Sequence, residues 1–279
     1  MLPAAEKRRL VTADPVILNQ HFLPHHSPAD VATKLIRRNL SDIAAMGGKP
    51  EAAILSMALP KKTSIRWLKR FFSALGTEAS HFELAIIGGD CSESEGSPGF
   101  FMTMLGQADG RRILTRKGAT IGDLIYVTGR LGGSLLDRQF SFQPRLTEGV
   151  WLAGRREVRS MIDLSDGMAK DLPELLSARS AARLDARRIP VAPEARRLAK
   201  ESDRPPLHHA FHDGEDFELL FTVSGSADLD GLEHDWRDAF DIPLTRIGRI
   251  IRHPSPSPAI LIDHAPDNFQ INRGYEHFR

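Results

Sequence analysis

Five short acidic segments hold the side chains of this sequence that could do chemistry. Each combines Asp with Gly, Ser or Thr beside an apolar run, at residues 11–14 (VTAD), 39–42 (NLSD), 87–90 (IGGD), 162–167 (IDLSDG) and 213–218 (DGEDFE). An α/β fold presents its ligand-binding loops at strand ends, so we expect these carboxylates to converge. Carboxylate and hydroxyl oxygens suit Mg²⁺ better than zinc, and Mg²⁺ is usually shared with substrate phosphates. The pattern therefore predicts a magnesium site that binds a nucleotide.

Other short patterns limit the kind of nucleotide site. Gly88 and Gly89 would let backbone N–H groups approach a phosphate closely. The sequence contains neither Gly-x-x-x-x-Gly-Lys-Ser/Thr nor Gly-x-Gly-x-x-Gly, so a kinase of this sequence is neither a P-loop enzyme nor a protein kinase. A single Asp at a strand end is more often a helix cap or turn former, and residues 165–167 (SDG) fit capping and anion binding equally well. The number of such segments is what favours a ligand site.

The order of apolar and polar runs predicts an α/β protein with two halves. In the first half, strands are expected at 52–59, 83–87 and 100–106, with a helix at 64–79. In the second half, strands are expected at 123–128, 160–164, 216–223, 244–251 and 259–262, and helices at 167–178 and 229–240. Because residues 107–122 are polar and rich in turn formers, we place the domain junction there.

Composition excludes several classes of protein. The 279 residues carry 37 Lys and Arg against 36 Asp and Glu, so a formal net charge of +1 gives no global field to hold nucleic acid or an anionic membrane. The single cysteine, Cys91, cannot form an intramolecular disulfide, which favours a reducing compartment. No apolar stretch approaches the ~20 residues that a membrane helix needs. We therefore expect a cytoplasmic protein without a nucleic-acid or membrane partner.

Ordered blocks along nearly the whole chain resemble the thiamine-monophosphate kinases, which share a superfamily with aminoimidazole ribonucleotide synthetase and selenophosphate synthetase. The blocks are VTADPVILNQHFLP, NLSDIAAMGGKP, IIGGD, LTRKGA, GDLIYVTGRLGGS, QPRLTEG, SMIDLSDGM, DGEDFELLFTV, TRIGRI and RGYEHF. The NLSD block is common to the superfamily. GEDFELLF and GYEHF favour the thiamine-phosphate branch.

The resemblance implies a two-domain, aminoimidazole ribonucleotide synthetase-like α/β fold. Residues 1–113 would form an N-terminal domain that binds ATP and Mg²⁺ and pairs its sheet in a homodimer, and residues 114–279 the C-terminal domain. The implied reaction transfers the γ-phosphoryl group of ATP to thiamine phosphate, which gives thiamine diphosphate. Because the acceptor is already an anionic phosphate oxygen, positioning and charge neutralisation suffice and no strong base is needed.

The resemblance also implies roles for individual residues. The magnesium ligands would be Thr12, Asp14, Asp42, Asp90, Asp163 and Asp166. The ATP contacts would be Gly89, Asp90, Arg116 and Ser165, and the catalytic group would comprise Asp42, Asp90, Asp166 and Arg116. Thiamine phosphate would contact His21, Glu215 and Tyr275, whose ring could stack on a planar cationic heterocycle.

The sequence departs from the family pattern near its start, and this keeps alternatives open. The family has a Gly-Asp-Asp segment upstream of the block that Thr12 begins, and Ala13 stands where the family has a hydroxyl residue. We expect that the reading frame begins further upstream, and that a chain starting at Met1 binds metal weakly. One alternative is a selenophosphate synthetase-like enzyme, which the absence of any cysteine before Cys91 disfavours. The other is an impaired homodimer that binds nucleotide or thiamine phosphates without turnover.

Overall fold

The computed structural model describes residues 8–108, 112–136, 138–255, 257 and 259–271. The chain forms two compact units. The first comprises Met1–Ile113 with Phe140–Leu146, and the second comprises Leu114–Gln139 with Thr147–Arg279. Residues 140–146 therefore belong to the first unit, although they lie after residue 113 in the sequence. A division of the chain into 1–113 and 114–279 does not include this return. The expectation of a mixed α/β fold is confirmed.

The first unit is a four-stranded sheet with two helices. Its strands are β1 (Arg8–Ile17), β2 (Lys49–Leu59), β3 (Ala85–Glu93) and β4 (Gly99–Ala108), and its helices are α1 (Pro28–Ala45) and α2 (Ile65–His81). The strand order is β1-β4-β2-β3, with β3 parallel to β2 and the other pairs antiparallel. The sheet therefore has β1 and β3 as its two edges.

Local sequence explains where the long helix of this unit begins and what it buries. Ser27 caps α1, its hydroxyl accepting from the backbone of Asp30 while the Asp30 carboxylate accepts from the backbone of Ser27. Apolar residues at helical spacing, including Leu35 and Leu40, are fully buried. They share a core with aromatic rings of α2 and β4, where Phe71 and Phe100 stack at 4.5 Å.

The opposite face of this sheet is apolar and exposed. Val11, Ile54 and Phe101 lie on it with 59%, 41% and 43% of their surface accessible, and all nine residues of β3 are exposed. Contiguous exposed apolar surface of this kind marks an interaction site more often than free surface.

The second unit is a six-stranded sheet with helices. Its strands are β5 (Leu124–Thr128), β6 (Val158–Asp163), β7 (Ser180–Asp185), β8 (Leu219–Val223), β9 (Leu244–Arg252) and β10 (Ala259–Asp263), in the order β10-β7-β9-β5-β8-β6. The helices are α3 (Arg138–Ser141) and α4 (Leu146–Ala153), which cross the boundaries between the units, and α5 (Met168–Leu175), α6 (Pro193–Ser202), α7 (Pro206–His212) and α8 (Leu229–Ala239). One core joins Ile125, Leu220 and Ile247 of the sheet to Leu172 of α5 and Phe211 of α7.

Three expectations about local structure are corrected. Residues 11–14 lie in the middle of β1, and residues 39–42 lie inside α1, so neither segment is a strand end. The third strand, β3, continues to Glu93 because it stays paired with β2, so residues 87–90 belong to the strand.

No helix in the described part of the chain is both long and apolar enough to cross a membrane.

Candidate active site

A hydroxyl and a carboxylate meet where α1 packs on β1. The hydroxyl of Thr12 donates a hydrogen bond to Oδ2 of Asp42. Thr12 stands on the helix-facing side of β1, and Asp42 lies in the last turn of α1. The contact therefore exists because the helix crosses the strand, although neither segment ends there.

Two neighbouring residues of α1 fix Asp14, two positions further along β1. Asn39 is buried, and its Oδ1 accepts a hydrogen bond from the backbone N–H of Asp14 at 3.1 Å. Nε of Arg38 donates to Oδ2 of Asp14 at 3.0 Å. The sequence reasoning missed Arg38; its place four residues before Asp42, on the same side of a helix, was the available signal.

Gly89 and Asp90 lie on the exposed edge strand β3. A Cβ atom at Gly89 would stand 1.8 Å from the carbonyl oxygen of Leu55 in β2, whereas a Cβ at Gly88 would meet nothing within 4 Å. Close strand pairing thus accounts for Gly89. Oδ2 of Asp90 accepts from the hydroxyl of Ser92 at 3.3 Å. Because β1 and β3 are opposite edges, two strands separate Asp90 from Thr12.

His21 lies in the tight turn between β1 and α1. Its backbone N–H donates to the carbonyl of Ile17 at 2.9 Å, and its ring Nδ1 accepts from the backbone N–H of Ile17 at 3.1 Å. Both the backbone and the ring of His21 are therefore tied to the end of β1.

In the second unit, three predicted residues follow one another at the end of β6. Asp163 is the last residue of the strand and is buried, while Ser165 and Asp166 lie in the turn before α5. The N-cap of α5 is Gly167, and no side chain caps the helix. Neither Ser165 nor Asp166 acts as the side-chain cap, so the capping interpretation loses its support.

Two residues of α5 contact Asp166. Lys170 forms an ion pair with its carboxylate at 2.5 Å, and the carboxylate of Asp171 accepts from its backbone N–H at 3.0 Å. Burial, helped by the charge of Asp166, raises the pKa of Asp171 to about 7. Asp171 therefore keeps its proton below about pH 7 and stands as a second acidic side chain beside the predicted ligand.

Glu215 is held beside this turn by backbone contacts. Its N–H donates to the carbonyl of Ser165 at 2.8 Å, and the N–H of Phe217 donates to the carbonyl of Leu164 at 2.8 Å. Gly214, Glu215 and Phe217 all have left-handed backbones, with φ of 70°, 53° and 51°. Such conformations are uncommon outside glycine and persist where the surroundings enforce them. They also explain why β8 begins at Leu219 rather than at the expected residue 216.

A second set of contacts fixes the other side of the Glu215 loop. Both carboxylate oxygens of Asp216 accept from the backbone N–H of Gly132 at 2.9 Å, and Arg138 forms an ion pair with the same carboxylate. The hydroxyl of Ser134 donates to the carbonyl of Gly214 at 2.5 Å. The sequence placed Asp216 in an acidic segment but indicated no individual role for it, and none for Ser134 or Arg138.

The two remaining predicted residues, Arg116 and Tyr275, do not lie among the contacts described above. Arg116 is exposed on a segment that runs along β6, where the carbonyl of Thr115 accepts from the N–H of Met161 at 3.0 Å. Tyr275 lies outside the described residues. The structure therefore brings Thr12 and Asp42 together in the first unit, and Ser165, Asp166 and Glu215 together in the second.

Comparisons with known proteins give the relatives of this chain. Residues 2–108 match the family described as "AIR synthase related protein, N-terminal domain". The thiamine-monophosphate kinase of Rhodopirellula baltica is 37% identical over 81% of this chain and 70% of its own length. That of Escherichia coli K12 is 32% identical over 100% of this chain and 89% of its own length.

Solved structures give the same result. The thiamine-monophosphate kinase of Stenotrophomonas maltophilia superposes with a TM-score of 0.78 at 31% identity, over 94% of this chain and 87% of its own. The AaThiL protein complexed with AMPPCP and TMP superposes with a TM-score of 0.77 at 25% identity, over 99% of this chain and 89% of its own. With this coverage and identity, the chain belongs to the thiamine-monophosphate kinase family.

Proposed function

We propose that this protein transfers the γ-phosphoryl group of ATP to thiamine phosphate and releases thiamine diphosphate and ADP. The observation that carries the proposal is the match over the whole chain to a kinase of this name, together with a relative of the same fold complexed with AMPPCP, an ATP analogue, and TMP. The bond from the γ-phosphorus to the β–γ bridging oxygen breaks, and a bond to a phosphate oxygen of thiamine phosphate forms. The acceptor needs no strong base, so the protein must mainly orient two anions and offset their charge.

In the first unit, we propose that Thr12, Asp14 and Asp42 hold Mg²⁺. Their hydroxyl and carboxylate oxygens are donors that Mg²⁺ prefers. The fit is partial, because Arg38 already offsets the charge of Asp14 and no group of three His, Cys, Asp or Glu side chains in the described ranges is arranged to hold a metal ion. When bound, Mg²⁺ offsets phosphate charge. Asp90 at the far edge of the sheet would act separately from this group.

In the second unit, we propose that the turn after β6 and the exposed Arg116 serve the nucleotide. Asp163 and Asp166 would contribute carboxylates, and Ser165 would donate a hydrogen bond. An arginine clamps phosphate oxygens in two places and stays charged at every relevant pH. Glu215, His21 and Tyr275 would contact thiamine phosphate, and the clamped left-handed loop supports Glu215 in that role because it fixes the backbone that carries it.

We also propose that the protein is a homodimer that pairs through the exposed face of the first sheet. Val11, Ile54 and Phe101 form an apolar surface there, and β3 leaves one edge unpaired within the described chain. Unpaired edges and apolar faces are normally covered. A second copy of the chain offers the same surface, so the two faces can bury each other.

We place the enzyme in the cytoplasm, because its one cysteine, Cys91, carries a free thiol. The function is tested with purified protein, ATP, Mg²⁺ and thiamine phosphate, by following ADP and thiamine diphosphate together. Equal amounts of both products are expected. Formation of ADP without thiamine diphosphate would reject thiamine phosphate as the acceptor.

A further inference from the structure

Lys34 is a cation in the interior of the first unit. It lies on α1, and none of its surface is accessible to solvent. Its Nζ donates a hydrogen bond to the backbone carbonyl of His21 at 2.6 Å and lies 5.0 Å from the centre of the Phe140 ring. Burying an ammonium group is costly unless polar partners satisfy it. A methionine would fill the same space without that cost. The presence of a lysine therefore suggests that the hydrogen bond of its ammonium group has a role.

One group that the ammonium holds is the turn that carries His21. The same residue is tied to Ile17 by its backbone N–H, at 2.9 Å, and by its ring Nδ1, at 3.1 Å. Lys34 adds the third attachment, at the carbonyl. Three polar groups of His21, namely N–H, C=O and Nδ1, are therefore fixed by these contacts.

One of these attachments, the hydrogen bond from the N–H of Ile17, decides which ring nitrogen carries the proton. Nδ1 accepts a hydrogen bond from a backbone N–H, so it carries no proton in this arrangement. The proton of the neutral ring is then on Nε2, which becomes a hydrogen-bond donor. A donor of this kind suits an anionic phosphate oxygen.

We propose that Lys34 is a positioning residue for the acceptor substrate, which keeps the ring of His21 oriented with Nε2–H as donor to thiamine phosphate. The proposal rests on the proposed function, in which His21 contacts thiamine phosphate. Lys34 itself is buried behind the turn and acts through the His21 carbonyl.

The kinetic test compares Lys34→Met with His21→Ala and with the double variant. Lys34→Met removes the ammonium that donates to the His21 carbonyl, so the misplaced ring should raise KM for thiamine phosphate about tenfold or more and leave KM for ATP within about twofold. In the His21→Ala background, Lys34→Met should raise KM for thiamine phosphate no further. Lys34→Gln keeps an N–H donor and should recover part of the loss.

A matched control separates positioning from general damage to the helix. Arg37 lies on the same helix and binds Glu78 and the carbonyl of Phe142, away from His21. Arg37→Met should lower thermal stability without a selective rise in KM for thiamine phosphate. Equal rises in both KM values for Lys34→Met, or a further rise in the His21→Ala background, would overturn the proposal.

A spectroscopic test reads the ring directly and does not depend on turnover. Nitrogen-15 chemical shifts of His21 should show a single Nε2–H tautomer in the wild-type protein and a mixture of ring states in Lys34→Met. Lys34→Gln should show an intermediate proportion of the Nε2–H tautomer. This variant replaces Lys34→Met in the measurement if Lys34→Met fails to fold. An unchanged tautomer would overturn the proposal. If the wild-type protein forms no thiamine diphosphate but the tautomer changes as expected, the proposed function fails while the role of Lys34 in orienting His21 stands.

Discussion

Both carboxylate oxygens of Asp216 accept a hydrogen bond from the backbone N–H of Gly132, each at 2.9 Å. This contact joins the loop after β5 to the loop that carries Glu215. Burial raises the pKa of Asp216 to about 8, and the charge of Arg138 opposes the rise. The carboxylate is therefore poised between two protonation states, with Arg138 favouring the ionised one.

Arg138→Met should destabilise the protein more at high pH than at low pH. A carboxyl group whose pKa is raised in the folded state keeps its proton when the unfolded chain has lost it, so stability falls as pH rises from about 4 through 8. Without Arg138 the ionised form is buried with less compensation. We expect a loss of about 2–3 kcal/mol at pH 9, which is below the ~3–5 kcal/mol of a fully buried pair because Arg138 is partly exposed, and a smaller loss at pH 6. Denaturant unfolding at both pH values measures it.

Arg187→Met is the matched control for this prediction. Arg187 pairs with Asp185 in an exposed ion pair, which contributes little in water. Its loss should change stability similarly at pH 6 and pH 9. A pH-independent effect of Arg138→Met would contradict the placement of Asp216 in the interior.

Gly89→Ala should weaken the pairing of β3 with β2, whereas Gly88→Ala should not. The new methyl group at Gly89 would overlap the carbonyl oxygen of Leu55, while the one at Gly88 enters open space. Overpacking of this kind costs about 1–3 kcal/mol, and surface changes without a clash stay within about 0.5 kcal/mol. Thermal unfolding of the two variants gives the comparison. Equal unfolding temperatures for Gly89→Ala and Gly88→Ala would contradict the close packing of β3 against β2 at Gly89.

His208→Gln should make the protein less sensitive to acid. Burial, together with the positive charges of His212 and Arg204, lowers the pKa of His208 to about 4. Nη1 of Arg204 lies 2.6 Å from Nε2 of His208, which suits a neutral ring that accepts. Between pH 6.5 and 4 the unfolded chain binds the proton first, so stability falls as pH decreases through that range.

Glutamine keeps an acceptor for Arg204 but does not titrate. The difference in melting temperature between pH 7 and pH 4.5 should therefore be smaller in His208→Gln than in the wild-type protein. An unchanged difference would mean that His208 does not contribute to acid sensitivity.

Charged substitutions on the exposed face of the first sheet should separate the proposed dimer. Ile54→Lys and Phe101→Lys place charges on two neighbouring strands of that face. Sedimentation analysis should show a mass near the 31.0 kDa of one chain for the variants and about twice that value for the wild-type protein. Ile65→Lys changes an apolar position at the start of α2 that is more exposed than Ile54 or Phe101, and this control should remain dimeric. A monomeric wild-type protein would contradict the proposed interface.

The sequence predicted eight of the ten strands but only three of the eight α-helices in the described residues, and the correct predictions rest on apolar periodicity, which reports burial directly. The strand at β5 and the helix at α8 begin within one residue of their expected starts. The return of residues 140–146 to the first unit had no such signal, because it depends on tertiary contacts such as the hydrogen bond from Arg37 to the carbonyl of Phe142.

The secondary structure that carries the candidate site residues was predictable only in part. Asp163 does end a strand, as expected, and Asp166 does precede a helix. Asp42 instead lies inside a helix, because a motif read as a loop also fits the buried side of α1. Lys34 gave no signal at all, since its role is visible only through the backbone carbonyl that it holds.

The central claim is phosphoryl transfer from ATP to thiamine phosphate, and the most direct measurement is product formation by the wild-type protein beside Asp42→Asn and Asp30→Asn. The amide oxygen introduced by Asp42→Asn can still accept from the hydroxyl of Thr12, so the fold should survive, but the lost negative charge should lower kcat/KM at least about 100-fold. Asp30 belongs to the capping box of α1, and its variant should keep wild-type turnover. The wild-type protein should form ADP and thiamine diphosphate in equal amounts, and Asp42→Asn should form little of either. Thiamine diphosphate formed at the same rate by Asp42→Asn, or ADP formed without it by the wild-type protein, would contradict the account.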